Sequence, residues 1–179
     1  LVDTTPDPEV TYEGAPRVDP SGVTGFLSVM RGCDMGCTFC IVPRPRGPER
    51  SRRPDDVVCE VRWLADRGVR EVTLLGQKVN AYRHGDVGFA DLLRSVAHGG
   101  GVDRIRFASP HPLWVGENLI RAMKETPDIC PGLHLPLQSG SASVLKRMKR
   151  GYSPSKFSNA VADLRAAMPD IGLSTDIIV

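Results

Sequence analysis

Cys33, Cys37 and Cys40 stand in the spacing C-x3-C-x2-C, directly after the apolar run Phe26-Leu27-Ser28-Val29-Met30. Three thiolates so spaced can hold three irons of a [4Fe–4S] cube and leave the fourth iron without a protein ligand, whereas electron-transfer ferredoxins use four cysteines per cube. A cube with one bare iron can bind a substrate or cofactor as well as store an electron, so the triplet points to catalysis. Small residues, Gly32 and Gly36, fall where the loop must curl tightly. The aromatic Phe39 immediately precedes Cys40.

Zinc would need four ligands, usually in two close pairs. The plausible fourth thiol, Cys59, falls alone on a predicted helix with no paired ligand beside it. A non-enzymatic, zinc-stabilised RNA-binding module is therefore the weaker alternative. A disulfide framework fits worse: five cysteines are an odd number, 179 residues is long for a stapled mini-protein, and nothing resembles a secretion signal. Cys59 and Cys130 read as ordinary thiols.

The elements that must carry the cysteine loop alternate along the chain. The first 22 residues, polar and proline-bearing from Leu1 onward, read as a linker or the tail of a domain upstream, and residues 23–179 as the core. Strands are predicted at Phe26–Met30, Glu71–Leu75, Arg104–Ala108, Leu133–Leu137 and Ile171–Val179. Between them lie helices opening at Pro54 and ending by Gly68, then at Phe89–Ala97, Asn118–Lys124, Ala142–Lys149 and Lys156–Ala167. Pro54 with Asp55 and Asp56 suits a helix start, and Val57, Val58, Val61, Leu64 and Ala65 share one face, leaving Cys59 on the other. Five strands joined by helical crossovers give an α/β fold: a partial, open TIM-type β/α barrel with parallel strands. In such barrels chemistry sits in the loops after the strands, which is where the cysteine loop lies.

Strand alternation assigns the interior. Leu133, Leu135 and Leu137 should pack on helices and turn His134 and Gln138 inward. Thr73, Leu75 and Gln77 share a side, with Gln77 at the rim, while Arg106, Ser174 and Asp176 also face in. A buried arginine and aspartate there would need each other or a polar ligand. His134 reads as a hydrogen-bonded core histidine, and His84, His98 and His111 fall in predicted loops with no assigned chemistry.

The composition, 41% hydrophobic and 25% charged, is that of an ordinary globular domain, and no apolar run is long enough to span a membrane. Free thiols and an exposed cube suit a reducing cytoplasm. A net charge of +2 does not by itself imply a nucleic-acid partner, but its distribution does more. Arg44, Arg46, Arg50, Arg52 and Arg53 face one acid, Glu49, within ten residues after the cysteine loop, and Lys146, Arg147, Lys149 and Arg150 form a second basic knot. Both could meet RNA phosphate, or simply be solvated surface.

The motif C-x3-C-x-aromatic-C resembles that of the radical S-adenosylmethionine (SAM) enzymes. Further stretches are similar to the radical SAM methylthiotransferases: Ile41-Val42-Pro43, Arg46-Gly47-Pro48-Glu49-Arg50-Ser51-Arg52, Leu74-Leu75-Gly76-Gln77-Lys78-Val79-Asn80-Ala81-Tyr82, Ser109-Pro110-His111-Pro112 and His134-Leu135-Pro136-Leu137-Gln138-Ser139-Gly140-Ser141. The similarity runs from about Gly22 to Val179. It is nearest the branch that makes 2-methylthio-N6-isopentenyladenosine beside the tRNA anticodon; the sibling branch acting on ribosomal protein S12 is the alternative.

That resemblance implies a radical SAM core in which Cys33, Cys37 and Cys40 ligate a [4Fe–4S] cluster whose open iron chelates SAM. Reductive cleavage of SAM then yields a radical that takes hydrogen from C2 of the base before sulfur and methyl are added. It also implies that Gly76 and Gln77 approach the methionine part of SAM, Phe39 its adenine, and Gln138, Ser139, Gly140 and Ser141 its ribose. The expected partners are tRNA, an electron donor such as flavodoxin or ferredoxin, and a sulfur donor, in a cytoplasmic enzyme that is monomeric at full length. Family members carry a second [4Fe–4S] cluster in an upstream domain, and more barrel with an RNA-binding β-domain downstream. The chain is accordingly expected to be a piece of the core, truncated at its C-terminal side.

Overall fold

In the computed structural model, residues 22–178 are described; the expected linker over residues 1–22 lies outside them except for Gly22. The central layer is a parallel sheet of β1 (Thr24–Ser28), β4 (Glu71–Leu75) and β7 (Arg104–Phe107), in the order β1-β4-β7. Between β1 and β4 lie β2 (Met30–Arg31), α1 (Pro43–Arg46), β3 (Arg50–Ser51) and α2 (Pro54–Ala65). Between β4 and β7 come the two-residue strands β5 (Arg83–His84) and β6 (Val87–Gly88), followed by α3 (Phe89–Gly99). After β7 follow α4 (Glu117–Glu125), β8 (Gly132–His134), α5 (Ala142–Arg147), α6 (Pro154–Ala167) and β9 (Gly172–Ser174).

Register explains which residues face the helices. Phe26 aligns with Thr73 and Arg106, and Leu27 with Leu74 and Phe107. Leu27, Val72, Leu74, Ile105 and Phe107 point to one side and are buried against α2, α3 and α4, through Val57, Val61, Leu64, Leu92, Leu93, Val96 and Met123. The other face, carrying Phe26 and Arg106, is open, and Phe26 is 71% exposed. Pro54 starts α2 with Asp55 and Asp56 in its first turn. Ser153 caps α6, its Oγ accepting the Lys156 N–H at 3.2 Å.

The five predicted strands do not form one continuous sheet. β8 and β9 pair with each other in parallel, and a single parallel bridge, Ile105 to Ile129, links them to β7. Cys130 N–H still reaches the Ile105 carbonyl at 3.0 Å, but Pro131 has no N–H to continue the ladder. Pro136 likewise ends β8 at His134, short of the expected Leu137. The Thr175 hydroxyl spans that gap, accepting the Leu137 N–H at 2.9 Å and donating to the Leu135 carbonyl at 2.8 Å. The predicted first strand also divides: β1 stops at Ser28, and Met30–Arg31 turns away to pair antiparallel with Arg50–Ser51. The result is an open α/β sheet and not a closed barrel.

Candidate active site

Because β1, β4 and β7 run parallel, as do β8 and β9, the segments that follow each strand gather at one end of the sheet. The cysteine loop leaves β2 there, and Gly32 makes its first bend at φ 73°. A Cβ on Gly32 would lie 1.9 Å from the Pro48 carbonyl oxygen, so only glycine lets the loop close on its own return strand. Cys33 N–H donates to the Gly47 carbonyl at 3.1 Å, and Asp34 accepts the Glu49 N–H at 3.0 Å. Cys33 and Cys37 are buried, whereas Cys40 is exposed.

Burial pushes the Cys33 thiol above its ordinary pKa, partly offset by the Met35 N–H and the Lys78 ammonium. The Cys33 thiol therefore wants a nearby cation to stabilise its thiolate form. Among the described residues, no three His, Cys, Asp or Glu side chains converge as ligands of one metal ion. A cube takes each thiolate on a different iron and does not ask three thiols to meet at one ion, as zinc does, so the lack of such a meeting point gives the zinc module no support.

Behind the loop lies a charged shell. Lys78, buried just past β4, forms a salt bridge with Glu49, and its ammonium sits 4.7 Å from the centre of the Trp114 ring. Asn80 and His111 exchange two hydrogen bonds, Asn80 Nδ2–H to the His111 carbonyl at 3.0 Å and His111 N–H to Asn80 Oδ1 at 2.8 Å. The His111 ring, which sequence reading left without a role, is buried edge-on to Trp114 and Tyr152. Burial, with Arg150 and Lys78 nearby, lowers its pKa to about 3, so it is neutral. Its Nδ1 accepts the Leu113 N–H at 3.3 Å, and its Nε2 is buried without a partner among the described residues.

The other expected site residues fall around this end. Gly76 packs so closely on Met30 that a Cβ would sit 2.5 Å from the Met30 Cγ. The side-chain oxygen of Gln77 is buried with no hydrogen-bond partner among the described residues, an unfilled acceptor beside the cysteine loop's shell. Phe39 is exposed. Gln138 adopts φ 69°, and Ser139 Oγ accepts the Ser141 N–H at 3.2 Å, curling the Gln138–Ser141 turn around Gly140. Ser109 after β7 and Lys149 after α5 share Gln138's positive φ. Such strained positions concentrate where structure serves function.

The arginines separate. Arg44, Arg46 and Arg53 are exposed, and Arg50 is half-buried in β3. Arg52 turns inward, donating to Glu60 at 2.6 Å and to the Ser28 carbonyl at 3.0 Å, so its guanidinium braces β1 and is not presented to a partner. In the second knot Arg150 is buried while Lys146, Arg147 and Lys149 are exposed. His134 is exposed and not a core residue, held between Ser174 Oγ and Asp176 Oδ2, each at 3.0 Å. Arg106 pairs with Glu71 at 3.1 Å and Asp176 with His134, so the arginine and aspartate expected to need each other or a polar ligand each have a separate protein partner, and Arg106 and Asp176 are exposed and not buried.

The profile of the Radical SAM superfamily matches residues 27–179. The chain belongs to the radical SAM superfamily. Over 174 residues, 96% of the chain, it is 50% identical to a tRNA-2-methylthio-N(6)-dimethylallyladenosine synthase of Parafrankia sp.. Over 162 residues, 89% of the chain, it is 51% identical to the synthase of that name from Salinispora arenicola. It spans 35% and 32% of those relatives' lengths. The radical SAM fold is equally visible in solved structures. The cobalamin-dependent S-adenosylmethionine radical enzyme OxsB, with aqua-cobalamin and S-adenosylmethionine bound, superposes with a TM-score of 0.67 at 17% identity over 86% of this chain and 23% of its own. The radical S-adenosylmethionine methyltransferase TsrM of Kitasatospora setae, with cobalamin and a [4Fe-4S] cluster bound, gives 0.66 at 17% identity over 86% of this chain and 30% of its own. Among the described residues no helix is long and apolar enough to cross a membrane.

Proposed function

We propose that residues 23–179 form the cluster- and SAM-binding core of a tRNA methylthiotransferase, which adds a methylthio group to C2 of N6-isopentenyladenosine next to the anticodon. The observation that carries this reading is the C-x3-C-x2-C loop at the C-terminal end of a parallel sheet, in a chain about half identical to enzymes named for that reaction. Cys33, Cys37 and Cys40 would hold a [4Fe–4S] cluster. A cluster held there would supply the electron needed for reductive cleavage of SAM.

The chain's own residues bind and orient. Gly76, which packs directly on Met30 for want of a Cβ, sits at the end of β4 beside the amino-acid part of SAM, and the orphan Gln77 oxygen accepts a donor there. Phe39 offers its ring to the adenine, and the Gln138–Ser141 turn offers hydroxyls to the ribose. Burial of Cys33 and Cys37 limits water at those two sulfurs, while the exposed Cys40 stands at the open side. Arg44, Arg46 and Arg53, exposed beside the loop, support phosphate contact with tRNA. A second cluster belongs to a domain upstream. The remaining partners are an electron donor such as flavodoxin or ferredoxin and a sulfur donor, in a cytoplasmic enzyme that is monomeric at full length.

Mass spectrometry of tRNA nucleosides tests the reading. A strain lacking the gene should accumulate N6-isopentenyladenosine without the methylthio group, and the intact gene, but not a Cys33→Ala version, should restore it. Unchanged tRNA with an altered ribosomal protein S12 would reject the tRNA assignment.

A further inference from the structure

Arg150 lies in a run of basic residues that would ordinarily face solvent, yet its side chain is buried. Among the described residues no carboxylate pairs with it. Burying an unpaired guanidinium is costly, and such a group persists only where an anion or well-placed acceptors compensate it. Its contacts are few and specific. Nη1 reaches Cys37 Sγ at 3.5 Å, Nε lies 3.4 Å from the Tyr152 hydroxyl, and the guanidinium carbon sits 5.4 Å from the Tyr152 ring centre. Of these partners, Cys37 is the one that becomes an anion when it ligates iron.

The surrounding backbone fixes this contact. Lys149, at φ 55°, and the Arg150 N–H, bonded to the Leu145 carbonyl at 3.1 Å, terminate α5 and turn the chain inward. The same turn grips the residue after Cys37: Thr38 N–H donates to the Met148 carbonyl at 3.2 Å and Thr38 Oγ1 to the Arg147 carbonyl at 3.2 Å. The Tyr152 hydroxyl donates to the Leu137 carbonyl at 2.7 Å, one residue before the Gln138 turn. The end of α5 thus joins the cysteine loop to the turn proposed for the SAM ribose.

We propose that Arg150 is a positioning residue for the cluster: it orients Cys37 and raises the cluster's reduction potential by hydrogen-bonding to its sulfur. The inference rests on the cluster assignment made under Proposed function. Reduction adds one electron to a site that three thiolates already make negative. A buried cation in contact with a ligand sulfur stabilises the reduced form more than the oxidised one, and hydrogen bonds to cluster sulfurs raise the potential in the same direction. Tyr152 keeps the guanidinium in place by its ring and hydroxyl.

The test is a dithionite titration of the anaerobically reconstituted protein, followed by the electron paramagnetic resonance signal of the reduced cluster. Iron content and the circular dichroism spectrum are recorded on the same samples. Arg150→Gln removes the charge but keeps a polar side chain of related reach. Its midpoint should move to more negative potential by at least the amount equivalent to a tenfold fall in the reduced-to-oxidised ratio, about 59 mV for one electron. Arg150→Lys keeps the charge and should retain iron and recover most of that shift. An unchanged midpoint in Arg150→Gln with iron retained would overturn the proposal. So would equal loss of iron in the Gln and Lys variants with the fold intact, which assigns Arg150 to packing alone. If the unsubstituted protein takes up no cluster, it is the cluster assignment that fails, an outcome the other two cannot produce.

Discussion

Lys78 and Glu49 form a largely buried salt bridge that ties the end of β4 to the closing residue of the cysteine loop. Neither belongs to the C-x3-C-x2-C motif, yet Glu49 N–H is held by Asp34 inside that motif. Removing one partner of a buried pair leaves the other charge unpaired, at a cost of about 3–5 kcal/mol. Lys78→Met should therefore lower stability by that amount in denaturant unfolding, and restoring neutrality with Glu49→Gln in the same chain should recover a substantial part. A double variant no better than Lys78→Met would show that the pair is not coupled.

The cysteines should act as a unit. Cys33→Ala, Cys37→Ala or Cys40→Ala should each abolish uptake of a stable cube, read as iron per chain. Cys59→Ala should leave iron unchanged, because Cys59 is exposed on α2. Cys130→Ala should do the same, since Cys130 follows the bridge between Ile105 and Ile129. An empty site in Cys59→Ala would reopen a four-thiol zinc site.

Gly32→Ala is expected to be more damaging than its single methyl suggests. The positive φ alone costs about 1–2 kcal/mol for a residue with a Cβ, and the collision with the Pro48 carbonyl cannot be relieved by a side-chain rotation. Iron binding should fall together with stability. Gly140→Ala, whose Cβ would meet nothing within 4 Å, should leave both unchanged in the same assays.

His111 gives a pH signature. It is neutral in the fold with a pKa of about 3, while in the unfolded chain it titrates near its ordinary value of about 6.5. Between those values the unfolded state binds the extra proton, so this contribution is complete above about pH 6.5 and is lost as pH falls toward 3. In cluster-free protein, His111→Gln should flatten the decline of the denaturant midpoint between about pH 7 and 4.5. An identical decline in both proteins would place the acid sensitivity elsewhere.

Much of this architecture was legible because local signals agree. β4 occupies Glu71–Leu75 as alternation predicts, and Pro54 with Asp55 and Asp56 starts α2 as its capping chemistry requires. The break between β7 and the β8–β9 pair was not legible because alternation says nothing about the ladder, which Pro131 and Pro136 interrupt. Charge along the sequence misled in both basic segments. Arg52 and Arg150 look like their exposed neighbours, yet Glu60 and Cys37 draw them inside. Nothing in the residues beside Arg150 indicates that Cys37, 113 positions away, is its partner.

The central claim is that Cys33, Cys37 and Cys40 hold a site-differentiated cube to which SAM binds. Electron paramagnetic resonance of the anaerobically reconstituted, dithionite-reduced protein tests it most directly, recorded with and without SAM. The account predicts about four irons per chain and a reduced-cluster signal whose shape changes on adding SAM and is absent in Cys40→Ala. A signal that SAM leaves unaltered, or a protein that takes up zinc and no iron, would contradict it.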